Sequence, residues 1–331
     1  MSSIGVGLIG AGSFGAQHAM ALALAGGFHL VGACRESPQG LEDFIARHGG
    51  RAYSGTADLL ADPAVDAVVI ATPHDRHEEA AVAAARAGKA ILLEKPLAPT
   101  LEACDRIAAA AKAASVPLMI GHVQRFAAPL VAAKAALDAG RLGAVRFGMS
   151  AMVKLWMEAN RQPWHMRNAS GGGMLMTAGI HALDRLLWLV GSPVHSVTAV
   201  AQAAFHDQES DDSALLLLRF ASGAAATVAS IAYRDGAPFG GTELVCENGV
   251  MLIDPGGAVR IGKGAAWTAL DVPESSNTMF DALVSEWRAF GRLIREGGPN
   301  PVDAASARAT IACILAALES SKLCREVVLA P

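Results

Sequence analysis

Ile4-Gly5-Val6-Gly7-Leu8-Ile9-Gly10-Ala11-Gly12-Ser13-Phe14-Gly15 is the stretch that decides the fold. An apolar run from Ile4 to Ile9 meets glycines spaced G-x-G-x-x-G, and an alanine-rich helical stretch follows from about Phe14 to Leu24. A strand before and a helix after give that spacing its meaning as a dinucleotide-binding turn. Gly10 permits the tight turn, Gly12 has no side chain to block a pyrophosphate, and Gly15 lets the helix approach the strand. Ser13 and Phe14 complete the cofactor loop. The phosphates belong on the helix N-terminus, where free N–H groups and the helix dipole favour an anion.

Working outward, Leu30 to Cys34 reads as the next strand and ends in Arg35-Glu36-Ser37. In such sites an acidic residue about 20 positions beyond the fingerprint holds the ribose 2′-hydroxyl, whereas an arginine takes a 2′-phosphate. Counting from Gly15 puts Arg35 there, with Ser37 as an added donor; Glu36, one residue on, keeps the ribose reading open. NADP is therefore the expected cofactor, with NAD as the alternative. Val65 to Ala71 is a further strand, ending in Thr72-Pro73 beside the cofactor. His77, in the first turn of a helix reaching about Ala87, either touches the nicotinamide end or is a first-turn polar residue. Gly88 caps that helix. Ile91-Leu92-Leu93-Glu94-Lys95-Pro96-Leu97 follows, a buried strand stopped by a proline that removes a ladder donor. Glu94, Lys95 and Pro96 thus stand at the carboxyl edge, where open α/β sheets bind ligands. A helix over 100–114 and a strand over 117–121 complete an alternation that specifies a doubly wound parallel sheet, a Rossmann domain over residues 1–122.

A chain of 331 residues makes about two domains at roughly 150 residues each. Its net charge of −4, without a basic block, argues against nucleic acid as a partner. There is no run of about eighteen strongly apolar residues of the kind that spans a bilayer, and Met1-Ser2-Ser3 leads straight into a strand, so neither membrane nor signal peptide is expected. Cys34, Cys104, Cys246, Cys313 and Cys324 lack framework spacing and read as small reduced core residues in a cytoplasm.

Residues 123–331 form the second domain, read as an α+β domain. Arg125-Phe126 opens a helical stretch to Ala139, and a strand runs from Ala144 to about Lys154. A polar loop follows with Trp156, Arg161, Trp164, His165 and Arg167. If Met174 to Leu189 is a helix, Thr177, His181 and Asp184 stand at i, i+4 and i+7 on one face. On spacing alone, His181 and Asp184 are as well a surface pair or a capped core histidine. Strands near 194–203, 213–220, 224–231, 242–246 and 250–253, separated by Ser222-Gly223, Asp235-Gly236 and Asn248-Gly249, predict a large, mostly antiparallel open sheet. Its uncovered face predicts a homodimer or homotetramer. Glu209, Asp211 and Asp212 read as a solvated turn, and no metal site is expected. Helices over 280–296 and 304–323 and a short strand at 327–329 end the chain.

Gly10-x-Gly12-x-x-Gly15, Val65-Asp66-x-Val68-x-x-Ala71-Thr72-Pro73, Ala87-Gly88-Lys89, Glu94-Lys95-Pro96 and Gly171-Gly172-Gly173…Gly179-x-His181-x-x-Asp184 resemble the signatures of the glucose–fructose oxidoreductase/inositol dehydrogenase (Gfo/Idh/MocA) family. The resemblance implies a Rossmann domain followed by an open-sheet domain, and hydride transfer between NAD(P) and a hydroxyl or carbonyl carbon of a sugar, polyol, cyclic diol or hydroxy acid. It also implies that Lys95 is the active-site lysine, that the Lys95–Pro96 bond is cis, that His181 faces the substrate, and that Asp184 is in or behind the pocket. Many polyol dehydrogenases of the family carry an Asp four residues before the His; Thr177 stands there instead and cannot ionise, which weakens the sugar assignment. Arg125, Lys154, Trp164, His165 and Arg167 are specificity candidates, whose cations would suit a carboxylate or phosphate. The rival expectation is a catalytically silent protein that senses dinucleotide or metabolite.

Overall fold

The structure, a computed structural model, describes residues 3–157, 161–275 and 277–329. The chain divides into two units, Met1–Val123 with Phe280–Arg308, and Gln124–Met279 with Ala309–Pro331.

The first unit alternates strand and helix: β1 (Ile4–Ile9), α1 (Ser13–Ala25), β2 (Phe28–Cys34), α2 (Pro38–His48), β3 (Arg51–Tyr53), α3 (Thr56–Ala61), β4 (Ala67–Ile70), α4 (His77–Arg86), β5 (Ala90–Glu94), α5 (Leu101–Ala113) and β6 (Leu118–Gly121). The six strands pair in parallel in the order β3-β2-β1-β4-β5-β6. The order reverses beside β1, which makes the carboxyl ends of β1 and β4 the switch point where this architecture binds ligands. Every residue of β1, β4 and β5 is buried, as expected of parallel strands covered by helices on both faces. The sequence reading passed over α2, β3 and α3; Ser37 and Pro38, a cap and a first-turn proline, were the local signals.

In the second unit α6 (Ala128–Asp138), β7 (Val145–Leu155) and α7 (Ile180–Val190) precede β8 (Val194–Gln202), β9 (Ser213–Phe220), β10 (Ala225–Tyr233), β11 (Phe239–Cys246), β12 (Gly249–Ile253), β13 (Val259–Lys263) and β14 (Ala266–Ala269). With β15 (Val327–Val328) they form a nine-stranded sheet, antiparallel except where β7 runs beside β10. Strict alternation in β9 buries Ala214, Leu216, Leu218 and Phe220 and turns Leu215 and Leu217 outward. The inward face packs on α7, where Gly148 leaves room for Leu186.

One amendment to the division at residue 122 is needed. In the segment holding α8 (Thr278–Glu296), residues 280–308 join the first unit. Gly291 admits the Phe28 ring, Trp287 meets the same ring edge-on at 5.1 Å, and Ile120 N–H donates to Val302 O at 3.0 Å. Apolar packing and one ladder-like bond thus bring the returning chain onto the parallel sheet.

Four cysteines are buried and Cys324, at the end of α9 (Ala304–Leu323), is exposed. Burial pushes the Cys104 and Cys313 thiols up to about 12, so neither offers thiolate near neutrality. Ellman's reagent should titrate Cys324 promptly in the native protein and the other four only on unfolding. Prompt reaction of a Cys324→Ser variant would contradict this.

Candidate functional site

The carboxyl edge of the first unit is assembled from the ends of β1, β2, β4 and β5. Gly10 has φ +98°, and a Cβ there would lie 2.6 Å from Ala71 O, so only glycine lets the two turns meet. A Cβ at Gly12, by contrast, would meet nothing within 4 Å. Gly12 is also the N-cap of α1 and gives it no side-chain hydrogen bond, so the first N–H groups of α1 are offered beside open space. That fits a pyrophosphate. Ser13 and Phe14 lie exposed on the first turn.

Arg35 follows β2 directly, and its Nη1 donates to Ala11 O at 2.9 Å, which lays the exposed guanidinium against the fingerprint turn. Ser37 caps α2, accepting from Gly40 N–H at 3.3 Å; its hydroxyl has a structural task. Thr72 and Pro73 are partly exposed after β4. His77 is fully buried, with Nδ1 2.8 Å from Pro96 O and Nε2 3.1 Å from Thr72 O. Burial pushes its pKa down, against the pull of these carbonyls and of Glu94. The ring lies between the turn after β4 and the turn after β5, and in its neutral form its one N–H donates to one of these two carbonyls.

Lys95 is partly exposed, and the Lys95–Pro96 bond is cis, as expected. Its backbone N–H donates to Glu94 Oε2 at 3.2 Å. Glu94 turns inward, where His18 Nε2 lies 2.9 Å from Oε1 and Trp287 Nε1 lies 3.1 Å from His18 Nδ1. Glu286 completes the group: its carboxylate, Glu94's and the His18 ring nitrogen all lie within 4.8 Å of one another. Sequence reading missed His18, Glu286 and Trp287. A signal existed for Glu286, which shares the i, i+3, i+4, i+7 stripe of Leu283, Trp287 and Phe290 and is a carboxylate on a buried face.

In the second unit the expected helix over 174–189 is not wholly α-helical. Leu175–Gly179 is a π-turn and regular α-helix starts at Ile180. The wider turn changes the angular step, so Thr177 leaves the ideal stripe, whereas His181 and Asp184 remain one α-turn apart. Gly179 lets this helix touch β10, since a Cβ there would lie 2.1 Å from Ser230 Oγ. Asp184 is buried and takes a two-pronged bond from Arg125, Nε to Oδ2 at 2.9 Å and Nη2 to Oδ1 at 2.6 Å, with Thr310 Oγ1 3.3 Å from Oδ1. Arg125 is thereby a buried partner of Asp184. Thr177 is buried and His181 partly exposed. Trp164 stacks on His165 at 3.7 Å, and His165 is buried against Gln162, while Lys154 is partly exposed and Arg167 exposed.

The expected solvated turn holds at Glu209, which is exposed, and needs correction at Asp211 and Asp212. Asp212 accepts from the N–H groups of Ala204, Phe205 and His206, and Asp211 Oδ2 accepts Leu175 N–H at 2.8 Å. Both are buried because they close backbone ends, Asp211 at the start of the helix that carries His181.

A parallel-sheet unit with a glycine fingerprint, joined to an open-sheet unit bearing a histidine helix, defines a two-domain dinucleotide-binding protein. Residues 4–122 match the oxidoreductase family described as having an NAD-binding Rossmann fold, and residues 130–252 match the GFO/IDH/MocA C-terminal domain. Inositol 2-dehydrogenase of Rhizobium meliloti is 33% identical over 68% of this chain and 67% of its own length. Inositol 2-dehydrogenase 2 of Saccharopolyspora erythraea is 32% identical over 60% of this chain, which spans only 57% of that relative's length. The WlbA dehydrogenase from Bordetella pertussis, solved in complex with NADH and UDP-GlcNAcA, has a TM-score of 0.85 at 25% identity, covering 100% of this chain and 99% of its own. The chain belongs to the Gfo/Idh/MocA family.

Burial pushes the Asp211 carboxyl up to about 6. Between its unfolded value and that one, the folded state keeps a proton the unfolded chain releases, so its contribution falls as pH rises through about 6. Asp211→Asn should then equal or exceed wild type in urea stability at about pH 8, whereas Asp211→Ala, which orphans Leu175 N–H, should lose about 1–3 kcal/mol. Equal losses in both variants would refute this account.

Proposed function

We propose that this chain is an NAD(P)-dependent dehydrogenase/reductase acting on a CH–OH group of a small polar molecule. The observation that carries the reading is Lys95, partly exposed at the carboxyl edge of a fingerprint-bearing parallel sheet. When bound, the dinucleotide supplies a hydride acceptor or donor. Gly12 and the α1 N-terminus receive the pyrophosphate. Arg35 receives a 2′-phosphate and so favours NADP; its guanidinium already lies against the turn at Ala11. Thr72 and Pro73 flank the cofactor. The Lys95 ammonium stabilises developing alkoxide charge, and His181, whose ring type titrates near neutrality, takes the hydroxyl proton. Asp184 acts by fixing the helix that carries His181, through its bonds to Arg125 and Thr310.

Substrates in our reading are polyols, sugars, cyclic diols or hydroxy acids, with Lys154, Trp164 and Arg167 contributing to selectivity. We also propose that the outward sheet face binds a second copy of this chain. Leu217, Thr227, Met149 and Glu243 lie in one cross-strand row, with Phe147, Leu215 and Val200 also exposed. A face this apolar on adjacent strands supports a self-complementary two-fold contact.

Fluorescence titration with NADPH and NADH, then a turnover screen on polyols, aldoses, hydroxy acids and dihydrodiols, tests the activity. Tight NADPH binding with turnover is expected. Lys95→Met and His181→Ala should abolish turnover with cofactor affinity kept within about tenfold, a loss of less than about 1.4 kcal/mol. Arg35→Asp should move preference toward NAD. Binding without turnover on the whole panel would favour the sensor. In sedimentation, the Phe147→Glu/Leu217→Glu variant should run as a monomer while the wild type does not.

A further inference from the structure

The buried group of His18, Glu94, Glu286 and Trp287 lies wholly within the first unit. Its protonation can be worked out from donors and acceptors. An indole N–H only donates, so Trp287 makes His18 Nδ1 an acceptor, and the one proton of a neutral ring sits on Nε2. A charged ring would turn a second N–H against the indole. His18 therefore donates from Nε2 to Glu94 Oε1, and Glu94 Oε2 accepts Lys95 N–H. Glu94 has two donors and can carry a charge. Glu286 has none among the described residues: both its oxygens are buried without a hydrogen-bond partner there. An anion there would lack all compensation, and it would lie beside a second carboxylate, an arrangement in which one of the two keeps its proton.

We infer that Glu286 is a neutral acid and a positioning residue for Lys95, leaving the single negative charge of the pair on Glu94, which holds the Lys95 turn against α1. Burial and the neighbouring Glu94 both push the Glu286 carboxyl well above the ordinary carboxylate range, in agreement. The same donor set argues against a metal ion among these residues, because Nε2, the ring nitrogen facing Glu94, carries hydrogen and Nδ1 accepts from the indole. Trp287 ties α8 to His18, His18 ties the fingerprint helix to Glu94, and the Glu286 carboxyl is packed beside Glu94, within 4.8 Å. Lys95, one residue beyond Glu94, inherits its place from both helices.

This assignment rests on the oxidoreductase reading for its consequence, but not for its chemistry. Infrared spectra of the cofactor-free protein near neutral pH should show a carboxylic-acid carbonyl band that disappears in Glu286→Gln; absence of that band overturns the inference. Glu286→Gln, a neutral isostere, should keep kcat within about threefold of wild type, whereas Glu286→Leu should lower kcat by tenfold or more with cofactor affinity within about threefold (both well under 1.4 kcal/mol in binding). Equal loss in both variants, or no loss in Leu, overturns the positioning role. So would stoichiometric zinc bound by wild type and released in Glu286→Gln. Should the wild type turn over no substrate, the oxidoreductase reading fails separately. The 15N resonance of Lys95 Nζ, assigned by its loss in Lys95→Met, then decides: it should shift in Glu286→Leu and stay in Glu286→Gln. The reverse pattern, or no shift in either, overturns the inference.

Discussion

The constraint on which the first unit depends is the approach of two backbones at Gly10. With no room for a Cβ between it and Ala71 O, the ends of β1 and β4 are held at contact distance, and Gly15, whose Cβ would lie 2.5 Å from Gly10 O, brings α1 into the same contact. Interiors packed to that density do not deform gradually. The glycine turn after β1, the turn at Thr72 and the one at Lys95 are consequently parts of one edge. His77 adds the last tie, its ring packed between a carbonyl of each later turn and donating its one N–H to one of them. For the cofactor proposed here, such an edge is already arranged, which lowers the ordering cost of binding.

The two units bury charge by opposite means. Arg185 is almost wholly buried, yet it donates to Ser150, Thr242, Gln124 and the carbonyls of Ala151 and Gly241 at 2.5–3.1 Å. Neutral dipoles replace its water shell, and although burial pushes its pKa down, it does so only to about 10. The guanidinium stays charged and fastens α7 to β7 and β11. Its neighbour Asp184 pairs with Arg125, so adjacent residues of one helix grip adjacent residues of the 123–126 turn. Glu286 has no such shell, and the less costly state for it is neutral.

How far the sequence reveals this follows from the range of the interactions. β1 is legible at its full length because an apolar run, a glycine turn and a helix lie within twelve or so residues, and the glycine roles follow from local sterics. The outward face of β9 is not legible in the same way: residues 215–218 are all leucine, and the sheet decides that Leu215 and Leu217 turn outward. What escaped was set by distant partners. Asp211 reads as solvated until the helix start it closes, at Leu175, is in view, and Asp212 until its bonds to the backbone of 204–206 are. His18 and Glu94 are 76 residues apart; polarity says that each needs a partner, but not which. The π-turn at Leu175–Gly179 escaped for another reason: helical spacing assumes 3.6 residues per turn, and a wider turn leaves no compositional trace.

That π-turn bears on the chemistry proposed for His181. It sits one turn before the histidine, at the place where Asp211 closes the helix start and Gly179 admits β10. Such turns appear mostly as single turns within α-helices and are frequent at functional sites. Here the wider step separates the directions of Thr177 and His181 that a uniform helix would align. A carboxylate at position 177 would have to be buried, as Thr177 is, and would need its own donors. A hydroxyl needs fewer. The threonine therefore reduces the electrostatic cost of burying that wall. A neutral His181 is the form that can accept a hydroxyl proton, which makes Thr177 compatible with oxidation of an alcohol without a second acidic group.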